Sequence, residues 1–191
     1  MKATKNLVIL ESPNKCKAVQ SYLGKNFHVV ASKGHITEIV KKFQGFGFDL
    51  KTFTPKYQIL KGKKKFINDL KKQIKSYDKI YLATDPDREG EAIAYHLFRE
   101  LNLKNNYQRL RFNEITKRAI QESLTTNFKI DYPLFYSQEA RTILDQIIGF
   151  KLSMLLQKNI NSKSGGRVQS VALKFITDRY YERKNFVEAE Y

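Results

Sequence analysis

The sequence predicts an α/β fold in which a parallel sheet is flanked by helices and followed by a mainly helical segment. Three observations support this prediction. Short apolar runs alternate with segments of helical periodicity up to Pro133. The apolar run at 80–83 stops at a dense group of acids, as expected where a strand ends and a helix begins. After Pro133 the periodicity is mainly helical.

The predicted strands are short apolar runs, because strands buried on both faces of a parallel sheet are continuously apolar. Between two of them, the Phe- and Gly-rich stretch 43–55 is predicted to be an irregular insertion with an edge ribbon. The predicted strands are 6–10, 27–31, 57–60, 78–83 and 110–112.

The predicted helices begin and end at residues suited to helix termini. Ser12 is a good N-cap, Pro13 suits the first helical position, and Gly24 suits the C-terminal stop. Thr116 is predicted to cap a later helix. The predicted helices are 12–23, 61–75, 88–101, one after Thr116, 134–158 as one helix or two, and 167–185, and 186–191 is predicted to begin a strand.

Composition favours a polyanionic partner. The net charge of +16 and the pI of about 9.8 point to nucleic acid, and the alternative is a lysine-rich solvated surface. Cys16 is the only cysteine, which excludes an internal disulfide and a cysteine zinc site. No apolar run approaches the ~18 residues of a membrane-spanning helix, and no signal peptide is recognisable. We therefore expect a cytoplasmic protein.

The acids after the run 80–83 are the strongest candidate for a chemical site. Asp85 and Asp87 are two residues apart, so extended backbone can aim both carboxylates the same way. Two carboxylates this close repel each other unless a cation or proton intervenes, and oxygen ligands suit Mg²⁺. Alternatively, Asp87 is a plain N-cap, and Glu89 and Glu91 simply favour the helix N-terminus.

Two further residues are expected near this site because each follows a predicted strand. Glu11 ends the first strand, and it would meet Asp85 and Asp87 if the strands at 6–10 and 78–83 are parallel neighbours. Otherwise Glu11 is a solvated residue at a strand end. His35, in the turn after the second strand, belongs either to the site or to a local hydrogen bond.

The segment Asp85 to Glu91 resembles the acidic motif of the Toprim domain, in the form carried by type IA DNA topoisomerases. Five other blocks resemble that family in the same order, and together they span nearly the whole chain. Within the family, the Asp85-Pro86-Asp87 and Phe112-Asn113-Glu114 segments look more like bacterial topoisomerase I than topoisomerase III or reverse gyrase. The five blocks are 7–15, 34–36, 111–116, 140–145 and 164–170.

The resemblance implies a Toprim, Rossmann-like sheet and a set of catalytic roles. In the family, the position of Glu11 serves as acid/base at the 3′ oxygen and as a metal ligand. Lys15 would stabilise charge on the scissile phosphate. Arg88 would orient the acidic turn through an ion pair. The implied Mg²⁺ ligands are Glu11, Asp85 and Asp87. Glu89 would either lie just behind these ligands or serve as an alternate ligand.

The resemblance also implies contacts with DNA, mainly single-stranded. Arg141 and Asp145 match positions that line the DNA groove in the family, although at this spacing they could merely pair on one helix. A Ser-Gly-Gly loop before the helix at 167 suits a phosphate, and it is also a common loop ending. The implied DNA-binding residues are His35, Arg141, Asp145, Ser164, Gly165, Gly166, Arg167, Val168 and Gln169.

The resemblance further implies an N-terminal fragment of a larger enzyme. The family's catalytic tyrosine belongs to a later domain, and no tyrosine of this chain has that context. We expect a Toprim domain at 1–131 and the start of a DNA-gripping domain at 132–191, in a monomer that alone does not relax supercoils. The alternatives are a stand-alone Toprim nuclease or primase-like protein, and a non-catalytic nucleic-acid-binding module.

Overall fold

The protein is built on a four-stranded parallel sheet. The computed structural model describes residues 4–40 and 46–188. Its strands are β1 (Asn6–Leu10), β2 (Phe27–Ala31), β5 (Lys79–Ala83) and β6 (Tyr107–Arg109). The strand order is β2-β1-β5-β6, and all three pairings are parallel, so the predicted sheet is confirmed.

Two strands depart from the sequence prediction. The strand predicted at 110–112 lies earlier. Strand β6 pairs with β5 from Ile80 to Leu82, with flanking backbone bonds from Ile80 N to Asn106 O and from Leu110 N to Leu82 O. The strand predicted at 57–60 does not join the main sheet. It is β4 (Tyr57–Ile59), which pairs antiparallel with a strand that the sequence did not reveal, β3 (Thr37–Ile39).

The insertion predicted at 43–55 is described only in part. Residues 43–45 lie outside the described residues, so the prediction cannot be compared there. Beyond them, Phe48 and Pro55 form an isolated antiparallel bridge, which fits the expected edge ribbon.

Helices connect the strands as the periodicity predicts. The first begins as a single 3₁₀ turn at Pro13–Lys15, and Ser12 makes no side-chain capping bond. Thr116 does cap its helix, accepting a hydrogen bond from the Ala119 N–H at 3.2 Å. Beyond Asp131 one continuous helix forms, not two. The helices are α1 (Cys16–Leu23), α2 (Lys64–Gln73), α3 (Arg88–Glu100), α4 (Lys117–Thr125), α5 (Tyr132–Ile160) and α6 (Arg167–Lys184).

The sheet has an apolar core on each face. Leu7 and Ile9 of β1 pack into one core, while Val8 and Leu10 pack into the other. Strand β5 alternates in the same way. Because helices cover both faces, the strands are continuously apolar and buried, which is why the central runs were recognisable in the sequence.

The chain divides into two compact units, residues 1–140 and 141–191. The second contains the C-terminal part of α5 and the helix α6, both of which carry many exposed large apolar side chains. Residues 185–188 form neither helix nor strand, and the rest of the strand predicted at 186–191 lies outside the described residues. Within the described part of the chain, no helix is long and apolar enough to span a membrane.

A buried histidine lies in an aromatic environment in the first unit. The ring of His96 lies 4.4 Å from that of Tyr57 and 5.7 Å from that of Phe135, measured between centroids. Its Nδ1 has no hydrogen-bond partner among the described residues. Burial, with smaller contributions from Arg99 and His35, lowers the pKa of His96 from 6.5 to about 3. The folded protein therefore holds this imidazole neutral.

We predict that acid destabilises the protein through His96. Below pH 6.5 the unfolded chain binds a proton that the folded protein accepts only near pH 3, so stability falls as the pH falls through that window. One such proton gives a slope of at most about 1.4 kcal/mol per pH unit. Urea unfolding at pH 7 and pH 5 should show a loss of about 2 kcal/mol in the wild type and a smaller loss in His96→Phe. The exposed His28→Phe is the control, and an equal loss in all three proteins would contradict the prediction.

Candidate functional site

The carboxyl ends of β1 and β5 bring distant acids to one edge of the sheet. The parallel register pairs Leu10 with Ala83, so the residues that follow each strand emerge side by side. The pKa of the Glu11 carboxyl is raised, first by partial burial and then by the charges of Asp85 and Asp87. Glu11 therefore lies close enough to both aspartates for their charges to affect its carboxyl group.

The turn between β5 and α3 is tightly closed. Asp87 is the N-cap of α3, and its Oδ1 accepts a hydrogen bond from the Gly90 N–H at 2.7 Å. The Thr84 hydroxyl donates to the Gly90 carbonyl oxygen at 2.5 Å. A Cβ at Gly90 would lie 2.1 Å from the Asp85 carbonyl oxygen, so only glycine fits there. The capping alternative for Asp87 is thus correct, and it leaves the second carboxylate oxygen for other ligands.

Asp85 is held by a lysine from the first helix. The Nζ atom of Lys15 donates to both carboxylate oxygens of Asp85, at 2.7 and 2.9 Å. The two side chains are 31% and 43% exposed, so this is a solvent-accessible pair that can exchange partners. Lys15 therefore supplies the positive charge that the acidic turn requires.

Glu89 faces a histidine and a glutamine. Its Oε2 atom lies 3.0 Å from His35 Nε2 and accepts a hydrogen bond from Gln138 Nε2 at 3.1 Å. His35 also lowers the pKa of Glu11, which places it beside the acids. The structure thus brings Glu11, Lys15, His35, Asp85, Asp87 and Glu89 into one neighbourhood.

The segment after β6 forms the far wall of a cleft beside the aspartates. This cleft has a volume of about 230 Å³, and sequence reasoning assigned no role to the residues of that wall. The signal that could have revealed these residues is the block 111–116, which resembles the family but was given no role in the sequence analysis. The lining residues are Lys15, Asp85, Pro86, Asp87, Phe112, Asn113, Glu114 and Ile115.

The arginine that contacts the acidic turn is not the one that the resemblance suggested. Arg88 is exposed at the start of α3, and among residues 4–40 and 46–188 no ion pair joins it to the acids of the turn. The arginine that binds the turn is Arg109, whose guanidinium donates to the carbonyl oxygens of Thr84 and Asp85 at 2.8 and 3.0 Å. Sequence reasoning missed it, although an arginine inside a short buried strand is itself an anomaly.

The donor set fits a hard divalent cation. Glu11, Asp85 and Asp87 supply only carboxylate oxygens, which suit Mg²⁺. As the side chains stand, no group of three or more acids, histidines or cysteines in the described parts of the chain is arranged to hold a metal ion. In the structure, Lys15 engages Asp85 and the α3 backbone engages Asp87.

The second unit contains the predicted arginines. Arg167 forms a bidentate pair with Asp145, with Nε–Oδ1 and Nη2–Oδ2 distances of 2.8 and 3.0 Å. Arg141 Nε lies 3.7 Å from Asp145 Oδ2. The hydrogen bond from Arg167 is the main cause that lowers the pKa of Asp145. Asp145 thus holds two arginines near the start of α6.

The Ser-Gly-Gly loop packs against α5. The Gly165 N–H donates to the Ser153 hydroxyl at 3.1 Å, and a Cβ at Gly165 would lie 2.3 Å from Leu156 Cδ1. Gly166 is the N-cap residue of α6 and has no side chain to cap it. Ser164, Gly165 and Gln169 line a cleft of about 410 Å³, while Val168 is 70% exposed.

The chain matches two known protein families and one solved structure. Residues 6–115 match the Toprim domain family, and residues 129–191 match the DNA topoisomerase family. The chain is also similar to full-length topoisomerase I from Thermotoga maritima, with 42% sequence identity and a TM-score of 0.80 over 95% of this chain. It spans 31% of the length of that protein. The match beyond residue 129 disfavours a stand-alone Toprim nuclease. The chain belongs to the Toprim family, as the N-terminal region of a type IA DNA topoisomerase.

Proposed function

We propose that this chain supplies the metal-binding and DNA-gripping part of Mg²⁺-dependent single-strand DNA cleavage and religation. In the full-length enzyme these steps would allow strand passage and the relaxation of negative supercoils. The observation that carries this proposal is the meeting of Glu11 with Asp85 and Asp87 at one sheet edge, where partial burial and then the two aspartate charges raise the pKa of Glu11. Such crowded acids call for a cation.

The residues of the edge suit the steps of phosphoryl transfer. Glu11, Asp85 and Asp87 would hold Mg²⁺, with Glu89 as a further ligand or as the partner that orients His35. When bound, Mg²⁺ would neutralise charge on the phosphate. Glu11 would also exchange a proton with the 3′ oxygen, for which a raised pKa is favourable.

Lys15 is proposed to change partners during the reaction. It pairs with both oxygens of Asp85. With Asp85 holding the ion, the Lys15 ammonium would be available to the phosphate, where it would stabilise negative charge. Arg88 is exposed beside the same turn, and we propose that it contacts the DNA backbone there.

We propose that residues of the second unit bind single-stranded DNA. Arg141, Arg167 and Gln169 offer donors to phosphates. The backbone N–H groups of the first turn of α6 follow the Ser164-Gly165-Gly166 loop, whose Gly165 N–H is taken by Ser153. Asp145 would orient the arginines, and the exposed Val168 would contact a base or sugar. We propose residues 1–131 as the Toprim domain and residues 132–191 as the start of the DNA-gripping domain, in a monomeric cytoplasmic enzyme whose nucleophilic tyrosine lies in another segment.

We predict that Asp85→Asn weakens Mg²⁺ binding by the chain. Removing one charge from the acidic edge should weaken binding by about tenfold or more, because the carboxylates supply the attraction. Isothermal titration calorimetry measures this directly. The matched control is Asp78→Asn, since Asp78 lies just before β5 at the opposite edge of the sheet, where it accepts a hydrogen bond from the Lys5 N–H. Equal losses in the two variants would contradict the proposed site.

We predict that Lys15→Met has the opposite effect on the metal. Without the ammonium, Asp85 has no competing cation, so Mg²⁺ affinity in the absence of DNA should rise by about fivefold, or ~1 kcal/mol. The same titration measures it, with Lys17→Met on the exposed side of α1 as the control. An affinity that falls in Lys15→Met would show that Lys15 supports the metal site instead of competing with it.

We predict that Arg167→Ala weakens single-stranded DNA binding. Loss of one phosphate contact should lower affinity by about threefold and reduce the salt-dependence slope by roughly 0.7. Fluorescence anisotropy with a labelled oligonucleotide at several salt concentrations measures both quantities. Arg179→Ala is the matched control, because Arg179 lies on the same helix and also pairs with an acid, Glu182, at 2.7 Å. Identical slopes for wild type and Arg167→Ala would exclude a phosphate contact.

A further inference from the structure

A buried arginine lies directly beneath the acidic turn. Arg109, at the end of β6, has an exposed fraction of 0%. Its charge is balanced by Glu91, also 0% exposed, through a hydrogen bond of 3.1 Å from Nε to Oε2. Buried charges of this kind are costly unless they are paired and fully hydrogen-bonded. None of the steps proposed above uses either residue.

The guanidinium replaces backbone donors where the sheet ladder ends. Its Nη1 lies 2.8 Å from the carbonyl oxygens of Leu82 and Thr84, and its Nη2 donates to the Asp85 carbonyl oxygen at 3.0 Å. The last β6–β5 ladder bond reaches Leu82. Beyond it, Arg109 satisfies the next carbonyls of the turn, so the backbone that carries Asp85 is fixed from below.

The same turn is fixed from its other side. The Gly90 backbone approaches Asp85 too closely for any side chain, and Glu91 N donates to the Asp87 carbonyl oxygen at 2.9 Å. Glu91 in turn accepts a hydrogen bond from the Asp131 N–H at 2.9 Å, which ties the pair to the segment before α5. The acidic turn therefore has little freedom in its backbone, although its carboxylates are accessible.

We propose that Arg109, held by Glu91, is a positioning residue that sets the spacing of the Asp85 and Asp87 carboxylates and so selects Mg²⁺ over larger cations. Mg²⁺ demands nearly ideal octahedral geometry at short distances, whereas Ca²⁺ accepts flexible ligands. A turn held by a buried guanidinium favours the stricter ion. This inference rests on the proposed metal site and adds to it the origin of its selectivity.

Two variants remove the carbonyl contacts in different ways. Arg109→Lys keeps the positive charge beside Glu91 but offers a single ammonium in place of a planar fork, so it cannot reach all of the carbonyls. The double variant Arg109→Met with Glu91→Met removes both charges, and such apolar replacement of a buried pair commonly preserves stability. Both should weaken Mg²⁺ binding by about tenfold, the usual effect of losing a residue that orients metal ligands. Ca²⁺ affinity should change by less than about threefold.

The matched control is the neighbouring residue of the same strand. Gln108 is buried like Arg109, but its amide donates to the Leu124 and Thr126 carbonyl oxygens at the end of α4, at 3.0 and 2.7 Å. Gln108→Met should lower the melting temperature and leave the ratio of Mg²⁺ to Ca²⁺ affinity unchanged. Calorimetric titration of each ion and thermal unfolding of each variant supply the data.

The outcomes separate this inference from the proposed function. A folded Arg109 variant with the wild-type ratio of Mg²⁺ to Ca²⁺ affinity would overturn the inference. An equal change of this ratio in Gln108→Met would also overturn it. Hydrogen exchange of the wild type without added metal gives a second test, because the amides of Gly90 and Glu91, which both donate to Asp87, should exchange as slowly as those of β5. Rapid exchange at these two amides would overturn the inference even if no variant folds. A wild type that binds neither ion but protects Gly90 and Glu91 would refute the metal site and leave the fixed turn standing.

Discussion

The parallel pairing of β1 with β5 is the constraint on which the site depends. Glu11 and Asp85 are far apart in the chain, and they meet because parallel strands end at the same edge of a sheet. The register cannot slip by one residue, since that would turn the apolar side chains of β1 away from both cores. The apolar packing of the sheet thus also fixes the geometry of the charged edge.

Charge is organised in two layers at that edge. The upper layer is accessible to solvent: Lys15 neutralises Asp85, and His35 faces Glu89. The lower layer is the buried Arg109–Glu91 pair, which cannot exchange with solvent. Burial, and then the charges of Asp85 and Asp87, raise the pKa of Glu11 despite the nearby cations. This arrangement is the basis of the metal site that we propose.

The second unit also holds charged side chains in place through an acid. Asp145 holds Arg167 and lies near Arg141, which restrains two long side chains that would otherwise lose conformational entropy on binding. The loop before α6 is restrained by Ser153 and by the close packing of Gly165 on Leu156. Restrained donors at a helix N-terminus suit a phosphate, because less order has to be gained on contact.

The sequence by itself determined the α/β class, the strands β1, β2 and β5, the caps at Thr116 and Asp87, and the acids that follow β1 and β5, because apolar runs and capping residues are local signals. The tertiary structure decided what depends on distant pairing. It moved the last strand to Tyr107–Arg109, paired Tyr57–Ile59 with an unrecognised strand, and joined Lys15 to Asp85. It also replaced Arg88 with Arg109 as the arginine that binds the turn. A guanidinium that satisfies carbonyls of a neighbouring strand leaves no local pattern in the sequence, since only the folded sheet brings donor and acceptors together.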